Sequence, residues 1–323
     1  MSRWRKGAGA ARRMVAEVAA AGYIGGIAGL AQATGVPYVL FPELGALAHD
    51  VFTRPWGTWA RAPVLLVVTP AVTAALGTLI ARTMAYGVPS VLLAVAAAML
   101  VIRLLRSPIA PAISAGLLPV TLDVTSWWYP PAIVVGTAVL AGLSVLVRRA
   151  VPPPPAPVPT ADLIDDLIEM PPADYSWVPY FLGFLVIDAV LAAAAGWRFL
   201  LFPPLVVIGF EMFAHSAICP WAERPLRLPL ACAATAAAGL FFVRLLGAGP
   251  TAAIASMAAG IVVLRLFRFR VPPALAVGLL PLVIDHPDGR FPLAVGIGTL
   301  GLTASFLLWR RAVQRRNVPA CPD

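Results

Sequence analysis

The chain has 323 residues, of which 60% are hydrophobic and only 12% are charged. Soluble domains carry about 25% charged residues and disordered chains lack large apolar side chains, so both classes are excluded. The net charge of +9 comes from basic residues that stand singly or in pairs between apolar runs, without the patch that nucleic-acid binding needs. The composition predicts an all-α polytopic membrane protein in the lipid bilayer, with no nucleic-acid partner.

Residues 1–34 begin with several basic residues and continue, from Met14, as the first apolar run. The triplet Ala31-Gln32-Ala33 resembles a cleavage site, so a signal peptide is one interpretation. Because the apolar run is longer than a usual signal sequence and further runs follow at once, an uncleaved first span is favoured.

Eleven more apolar runs follow the first. They cover residues 36–52, 63–82, 88–102, 109–124, 130–147, 176–195, 197–214, 226–246, 250–264, 271–284 and 292–309. The second, fifth, eighth and eleventh of the twelve runs are short and carry Pro or Gly, so each is either a full span or a re-entrant half-helix. If all twelve cross, 20 of the 24 Lys and Arg lie on the cytoplasmic side. This bias favours twelve crossings, with both termini in the cytoplasm of a bacterial inner membrane.

Residues 151–173 differ in composition from everything around them. Consecutive prolines, Pro152 to Pro155, are followed by the acidic stretch ADLIDDLIEM, which predicts an extended segment and then a short amphipathic helix. We interpret this region as a solvated cytoplasmic linker between residues 1–150 and 174–323. A docking site for a cytoplasmic partner is the alternative.

The two flanking regions repeat each other at a constant offset of 162 residues. Trp59 matches Trp221, Arg82 matches Arg244 and Asp123 matches Asp285, and upstream an offset of 161 places Asp50 opposite Glu211. Paired Trp, Arg and Asp at one spacing are more specific than shared leucines. The pattern predicts two parallel tandem repeats of about six transmembrane segments each, with broken or short helices in each repeat, as in known transporters.

The fifth span of each repeat is the strongest candidate for a substrate site. Proline and glycine interrupt both copies and should leave backbone groups free near the middle of the membrane. The predicted substrate-binding positions are Pro111, Gly116, Pro119, Pro273, Gly278 and Pro281. A kinked helix that only packs is the alternative, since small residues also serve helix contacts.

Several acidic residues fall inside apolar runs, where a charge is costly and usually functional. Glu43, whose counterpart is Pro204, is predicted to contact substrate, and Asp188 is a further intramembrane acid. Asp50 and Glu211 are predicted to serve coupling or gating, with solvation at the membrane interface as the alternative.

Arg82 and Arg244 lie on the side of the membrane that basic residues avoid. Their guanidinium groups suit a small anion at a pore mouth, and we predict that they bind substrate. Asp123 and Asp285 lie on the same face and are predicted to gate or couple. A structural ion pair with the arginines is the alternative.

No signature of an enzyme or of a cofactor site is present. His49, His215 and His286 lack metal-ligand spacing, and the cysteines are assigned no role. His49 beside Asp50 and His215 near Glu211 suit a proton-coupling cluster if the halves face each other, although interfacial histidines are favoured. We therefore predict no catalytic residue, no metal and no cofactor.

Three segments resemble motifs of the HPP family of integral membrane proteins. They are PELGA at residues 42–46, APAISAGLLP at 110–119 and VPPALAVGLLP at 271–281. The histidine that names the family is replaced by Ala110 and Val271. The resemblance implies a membrane transporter, and some plant and cyanobacterial relatives are associated with nitrite.

The function predicted from the sequence is transport or channel conduction of a small solute, with a small anion as the candidate, at the interface of the two repeats. One alternative is an intramembrane enzyme that uses buried acidic residues. Another is a non-catalytic membrane subunit that docks a partner through residues 151–173.

Overall fold

The computed structural model describes residues 2–153, 160–172 and 174–316, with side chains between 11 and 313. In this part of the chain the regular structure is helical. The α-helices are α1 (Ser2–Thr34), α2 (Leu44–Thr53), α3 (Pro63–Thr83), α4 (Val88–Leu105), α5 (Ala112–Leu122), α6 (Tyr129–Ala150), α7 (Thr160–Ile168), α8 (Val178–Ala195), α9 (Pro203–Ala214), α10 (Pro220–Glu223), α11 (Leu228–Leu246), α12 (Pro250–Leu266), α13 (Pro273–Leu279) and α14 (Arg290–Arg316). Part of the proline run, residues 154–159, and Cys321 lie outside the described residues.

Seven of these helices are long and apolar enough to cross a membrane, which makes the chain a multi-pass membrane protein. They are α1, α3, α4, α6, α8, α11 and α14. The helix α12, with 17 residues, is slightly shorter. Twelve full-length helical crossings, as the distribution of basic residues favours, are therefore not found among the described residues.

The four short apolar runs form four short helices, α2, α5, α9 and α13, of 10, 11, 12 and 7 residues. At 1.5 Å per residue they are about 10 to 18 Å long, roughly half of the 30 Å hydrocarbon core. Almost every residue in them is buried. The four half-length helices therefore lie inside the protein, and the longer helices surround them.

Local sequence explains why α5 and α13 are short. The segment before α5 contains Pro108 and Pro111, and α5 ends at Asp123, which has a left-handed φ of 59°. The helix α13 ends at Leu279 and continues as a 3₁₀ turn that contains Pro281. Proline removes a backbone donor and clashes with the preceding turn, which explains why α5 begins only after Pro111 and why α13 ends before Pro281.

The helices α3 and α11 each pack against three helices that follow them in the chain. In the first half α3 packs against α4, α5 and α6, and in the second half α11 packs against α12, α13 and α14. A Cβ atom at Gly77 would overlap the backbone of Gly116, and a Cβ atom at Gly239 would overlap the backbone of Gly278. At each of these glycine pairs two helix backbones touch.

The two halves are joined through pairs of helices from opposite halves. The long helix α1 packs on α12 and α4 packs on α8, while the short helix α5 contacts α9 and the short helix α13 contacts α2. The half-length helices therefore meet each other at the boundary between the halves.

The acidic part of the linker forms the predicted short helix, α7, over Thr160–Ile168. One side of this segment is solvated, since Leu163 and Leu167 are 47% and 52% exposed. Ile168 and Glu169 are only 4% and 7% exposed, because this end of α7 lies beside the start of α13. We call this face of the protein the linker side.

Candidate functional site

Three carboxyl groups from different parts of the chain meet on the linker side. Asp50 comes from α2, Glu211 from α9 and Glu169 from the residue after α7, and they are 4%, 2% and 7% exposed. One oxygen of each group, Asp50 Oδ2, Glu211 Oε2 and Glu169 Oε2, has no hydrogen-bond partner. All three line a small cavity of about 20 Å³. We call these three residues the central cluster.

The walls of the small cavity come from both halves and from the linker. The indoles of Trp59 and Trp221 face it, as does Asp165 of α7. Trp59 and Trp221 stand 162 residues apart, and Asp50 and Glu211 stand 161 apart. The cavity is therefore lined by residues from both sides of the linker and from the linker itself.

Arg54 is the cation that joins the central cluster to the linker. Its Nε atom lies 2.6 Å from Asp50 Oδ1, its Nη1 atom lies 3.1 Å from Asp166 Oδ1, and its Nη2 atom contacts Glu169 Oε1. The Arg54 side chain is 10% exposed. Burial alone would lower its pKa, but the Asp50 and Glu169 carboxylates raise the pKa of Arg54 above its usual value.

Further polar contacts hold α7 in place. The backbone N–H and the hydroxyl of Thr58 both donate to Asp166 Oδ1 at 3.0 Å. Arg270, whose side chain is 44% exposed, lies 3.5 Å from Asp165 and 3.9 Å from Asp162. These exposed pairs are long and each contributes at most about 1 kcal/mol, so Arg54 is the principal anchor.

Two acids of the linker have perturbed pKa values. Burial and the nearby Asp50 carboxylate raise the pKa of Glu169 well above its usual value, although Arg54 acts in the opposite direction. Burial also raises the pKa of Asp165. The charged forms of both carboxyls are therefore disfavoured where α7 is docked.

A larger cavity of about 900 Å³ opens beside the central cluster on the linker side. It is bounded by the start of α1, the end of α2, α7, the end of α12 and the start of α13. Six arginines line it: Arg12, Arg13, Arg54, Arg61, Arg265 and Arg270. Among the described side chains, Arg12 and Arg61 form no ion pair with a carboxylate.

Glu17 of α1 is the buried acid at the wall of this larger cavity, with 6% of its surface exposed. It contacts Arg265 of α12, lies 3.4 Å from Arg13 and lies 3.9 Å from His49 Nε2. The pair between Glu17 and Arg265 therefore joins the two halves.

Glu43 forms a second polar site, at the start of α2. It is 1% exposed, and Ser114 Oγ of α5 donates to its Oε1 atom at 2.5 Å. Its Oε2 atom has no hydrogen-bond partner. Beside it, the Tyr129 hydroxyl donates to the backbone carbonyl of Ala115 at 3.0 Å. Two half-length helices are therefore joined by a carboxyl and a hydroxyl deep in the protein.

Asp188 of α8 is the other buried acid, 2% exposed, with Oδ2 unpartnered. Its carboxyl group occupies the space beside Gly301 of α14, where a Cβ atom would overlap it. Asp188 lies apart from the central cluster, since it lines neither of the two cavities described.

The predicted proline and glycine positions all lie buried in or beside the half-length helices. They are Pro111, Gly116, Pro119, Pro273, Gly278 and Pro281. Gly116 and Gly278 form the close helix contacts described above. Pro273 lines the small cavity. These residues set where α5 and α13 begin, end and touch their neighbours.

The charged residues predicted at the other face are exposed and do not pair as expected. Arg82 Nη1 donates to the Thr125 carbonyl at 2.6 Å, and among the described side chains it forms no ion pair with Asp123. Arg244 is exposed. Asp285 Oδ1 lies 3.6 Å from His286 Nε2, and both of these side chains are 96% exposed. The alternative of structural Arg–Asp pairs is therefore not found among the described side chains.

The structure also corrects the alternative in which Asp50 and Glu211 are solvated at an interface. Both are buried, and they line the small cavity together with Asp165, Ile168 and Glu169. His49 contacts Glu17 and not the central cluster, while His215 Nε2 is buried without a partner. No three His, Cys, Asp or Glu side chains within the described ranges converge as a metal-binding group.

Three functional candidates are missing from the sequence-based prediction: Arg54, Glu169 and Ser114. Arg54 stands four residues after Asp50, a spacing at which an acid and a base meet on one helix face, so this signal was present. Glu169 and Ser114 gave no comparable signal, because their partners are 115 and 71 residues away.

Comparison with protein families, characterised proteins and solved structures found nothing that matches this chain. The site is therefore interpreted from its own residues.

Proposed function

We propose that the protein is a transporter or channel that moves a small anion across the cell membrane between its two halves, with buried carboxyl groups carrying protons. The observation that carries the proposal is the set of four half-length helices buried at the boundary between the halves. Helices that end inside a membrane protein are tolerated where they line a cavity or are buried in protein, and transporters use them to build substrate sites.

The proposal includes a tandem duplication with the two units parallel. It is supported by the equivalent helix neighbours, by the Gly77–Gly116 and Gly239–Gly278 contacts, and by the sequence matches at one offset. On this basis the linker side is cytoplasmic, as are both termini. The basic residues that surround the larger cavity agree with this orientation.

The choice of an anion is supported by the arginines of the larger cavity. Arg12 and Arg61 face it without carboxylate partners among the described residues, and guanidinium groups bind small oxyanions through paired hydrogen bonds. The HPP-like motifs, with the nitrite association of some family members, point to the same class of solute.

The interior of the protein is acidic where the half-length helices meet. A charged carboxylate with an unpartnered oxygen is costly at this depth, and Glu43 and Asp188 both fit that description. An anion passes such groups only when they are neutral. The proposal therefore couples the movement of the anion to protonation of the acids.

Replacing Glu43 with Gln is expected to reduce proton-driven uptake at least about tenfold, equivalent to 1.4 kcal/mol. Gln keeps the size of the side chain and a hydrogen-bond acceptor for Ser114, so folding is retained while the titratable group is lost. The measurement is uptake of nitrite, formate and chloride into proteoliposomes under an imposed pH gradient.

The matched control is Glu223→Gln, because Glu223 is an exposed acid near α10. It should leave uptake unchanged. Absence of flux for all three anions with the wild-type protein would contradict the proposed function.

Replacing Arg82 with Ala is expected to raise the KM for the transported anion several-fold with little change in stability. Arg82 is exposed, and its guanidinium group donates to the Thr125 carbonyl. An exposed contact of this kind contributes little to the stability of the fold. Arg82→Lys keeps the charge and should restore part of the affinity. An unchanged KM in Arg82→Ala would remove this residue from the substrate path.

A further inference from the structure

The central cluster has more negative charge than the side chains around it neutralise. Asp50, Glu169 and Glu211 each have an unpartnered oxygen buried from solvent. Six carboxyls lie in and around the cluster, namely Asp50, Asp162, Asp165, Asp166, Glu169 and Glu211. Among the described side chains only the guanidinium groups of Arg54 and Arg270 pair with them, and neither pairs with Glu211. Uncompensated buried charge is strongly unfavourable, so the cluster requires positive charge that these side chains do not supply.

The shape of the site decides which cation it takes. The small cavity of about 20 Å³ holds about one water molecule. Metal ions need several ligand atoms at short distances, but the described His, Cys, Asp and Glu side chains do not converge in that way. A proton needs only one carboxyl oxygen, and a single water in the cavity would accept and donate the remaining hydrogen bonds.

We propose that the central cluster is a proton-binding site that holds two protons at neutral pH, one on Glu211 and one shared between Asp50 and Glu169. Arg54 contacts both Asp50 and Glu169, so its single charge neutralises one of them and the other takes the proton. Glu211 has no cation contact and takes the second. Asp165 pairs with Arg270, and Asp166 is 25% exposed and bonded by Thr58.

The other charged or titratable groups near the cluster are consistent with this assignment. From each packed element they are Glu43 and His49 of the α2 region, Asp162, Asp165 and Asp166 of α7, His215 after α9, and Arg270 before α13. The carboxyls in this set outnumber the fixed cations, so they favour proton uptake. Burial and Asp50 also raise the pKa of Glu169.

The site links the two halves to the linker. Glu169 belongs to the segment after α7, whereas Asp50 and Glu211 belong to equivalent helices of the two halves. Since a carboxyl with a raised pKa stabilises the folded state most when it is protonated, docking of α7 is strongest at low pH. It weakens as the pH rises through the pKa of Glu169.

Infrared spectroscopy of the purified protein in lipid tests the proposal without a transport assay. At neutral pH, the wild-type minus Glu211→Gln difference spectrum should contain the carbonyl band of one protonated carboxyl, with a downward shift in D₂O. Asp50→Asn and Glu169→Gln should each remove part of a second band. The control, Asp174→Asn, changes an exposed acid directly after the linker, with a lowered pKa, and should remove no such band.

Three outcomes would overturn the proposal. The first is a Glu211→Gln spectrum that keeps the full band. The second is a band that disappears at fixed pH when NaCl replaces choline chloride, because an alkali ion would then occupy the cluster. The third applies if Glu211→Gln does not fold: Glu211→Asp, which keeps a carboxyl, must then retain a protonated band, and its absence counts against the site. None of these results depends on which solute the protein transports.

Discussion

Gly77→Val in α3 is expected to destabilise the protein by about 3 kcal/mol or more, enough to abolish folding in many cases. The reason is that a Cβ atom at Gly77 would overlap the carbonyl carbon and oxygen of Gly116 in α5. A flexible side chain moves aside at little cost, but here the obstacle is a helix backbone. Overpacking in a dense interior costs about 1 to 3 kcal/mol where side chains can adjust, and more where they do not.

Two other glycines serve as controls, one where a large effect is expected and one where a small effect is expected. Gly239→Val should have an effect of similar size, because Gly239 meets Gly278 in the same way. Gly142→Ala in α6 should change stability by less than about 1 kcal/mol, since nothing lies within 4 Å of a Cβ atom there. Unfolding in mixed detergent micelles measures all three. Equal stability of Gly77→Val and the wild type would show that α3 and α5 do not touch at this point.

The broken helices were predictable from sequence because their cause is local. Pro111 precedes the first residue of α5 and Pro281 follows the last residue of α13, where a missing backbone donor limits a helix, and the same pattern in both halves marked α5 and α13. Pro119 is different, because α5 continues through it. The number of crossings was less predictable. The distribution of arginines favours a side of the membrane, but it does not determine whether a run of 10 residues such as α2 crosses or ends within the protein.

The central cluster was only partly predictable because its members come from distant segments. The matched positions of Asp50 and Glu211 were visible in the sequence, and their spacing implied equivalent places in the two halves. Glu169 was not, since an acidic amphipathic stretch is typical of a solvated helix. Tertiary contacts with Arg54 and Thr58 hold the end of that stretch beside the two acids.

Arg54→Ala should lower the free energy of unfolding by about 3 to 5 kcal/mol, the range found when one partner of a buried ion pair is removed. The substitution leaves Asp50 and Glu169 buried without their shared cation, and it also removes the contact with Asp166. Arg54→Lys should recover only part of the stability, because an ammonium group does not span three carboxylates. Thermal unfolding in detergent gives the stability, and limited proteolysis of residues 151–173 reports whether α7 remains docked.

The pH dependence distinguishes an electrostatic role for Arg54 from simple packing. The pKa of Glu169 is already raised in the folded protein, and without Arg54 the ionised form is still less favourable. An acid of this kind contributes most stability when it is protonated, so the loss of stability in Arg54→Ala should be smallest at low pH and should grow as the pH rises.

Arg270→Ala is the matched control, because Arg270 is 44% exposed and its ion pairs are 3.5 and 3.9 Å long. This variant should lower the free energy of unfolding by less than about 1 kcal/mol. If the deficit of Arg54→Ala is the same at every pH, its contribution is packing of the side chain and not neutralisation of the central cluster.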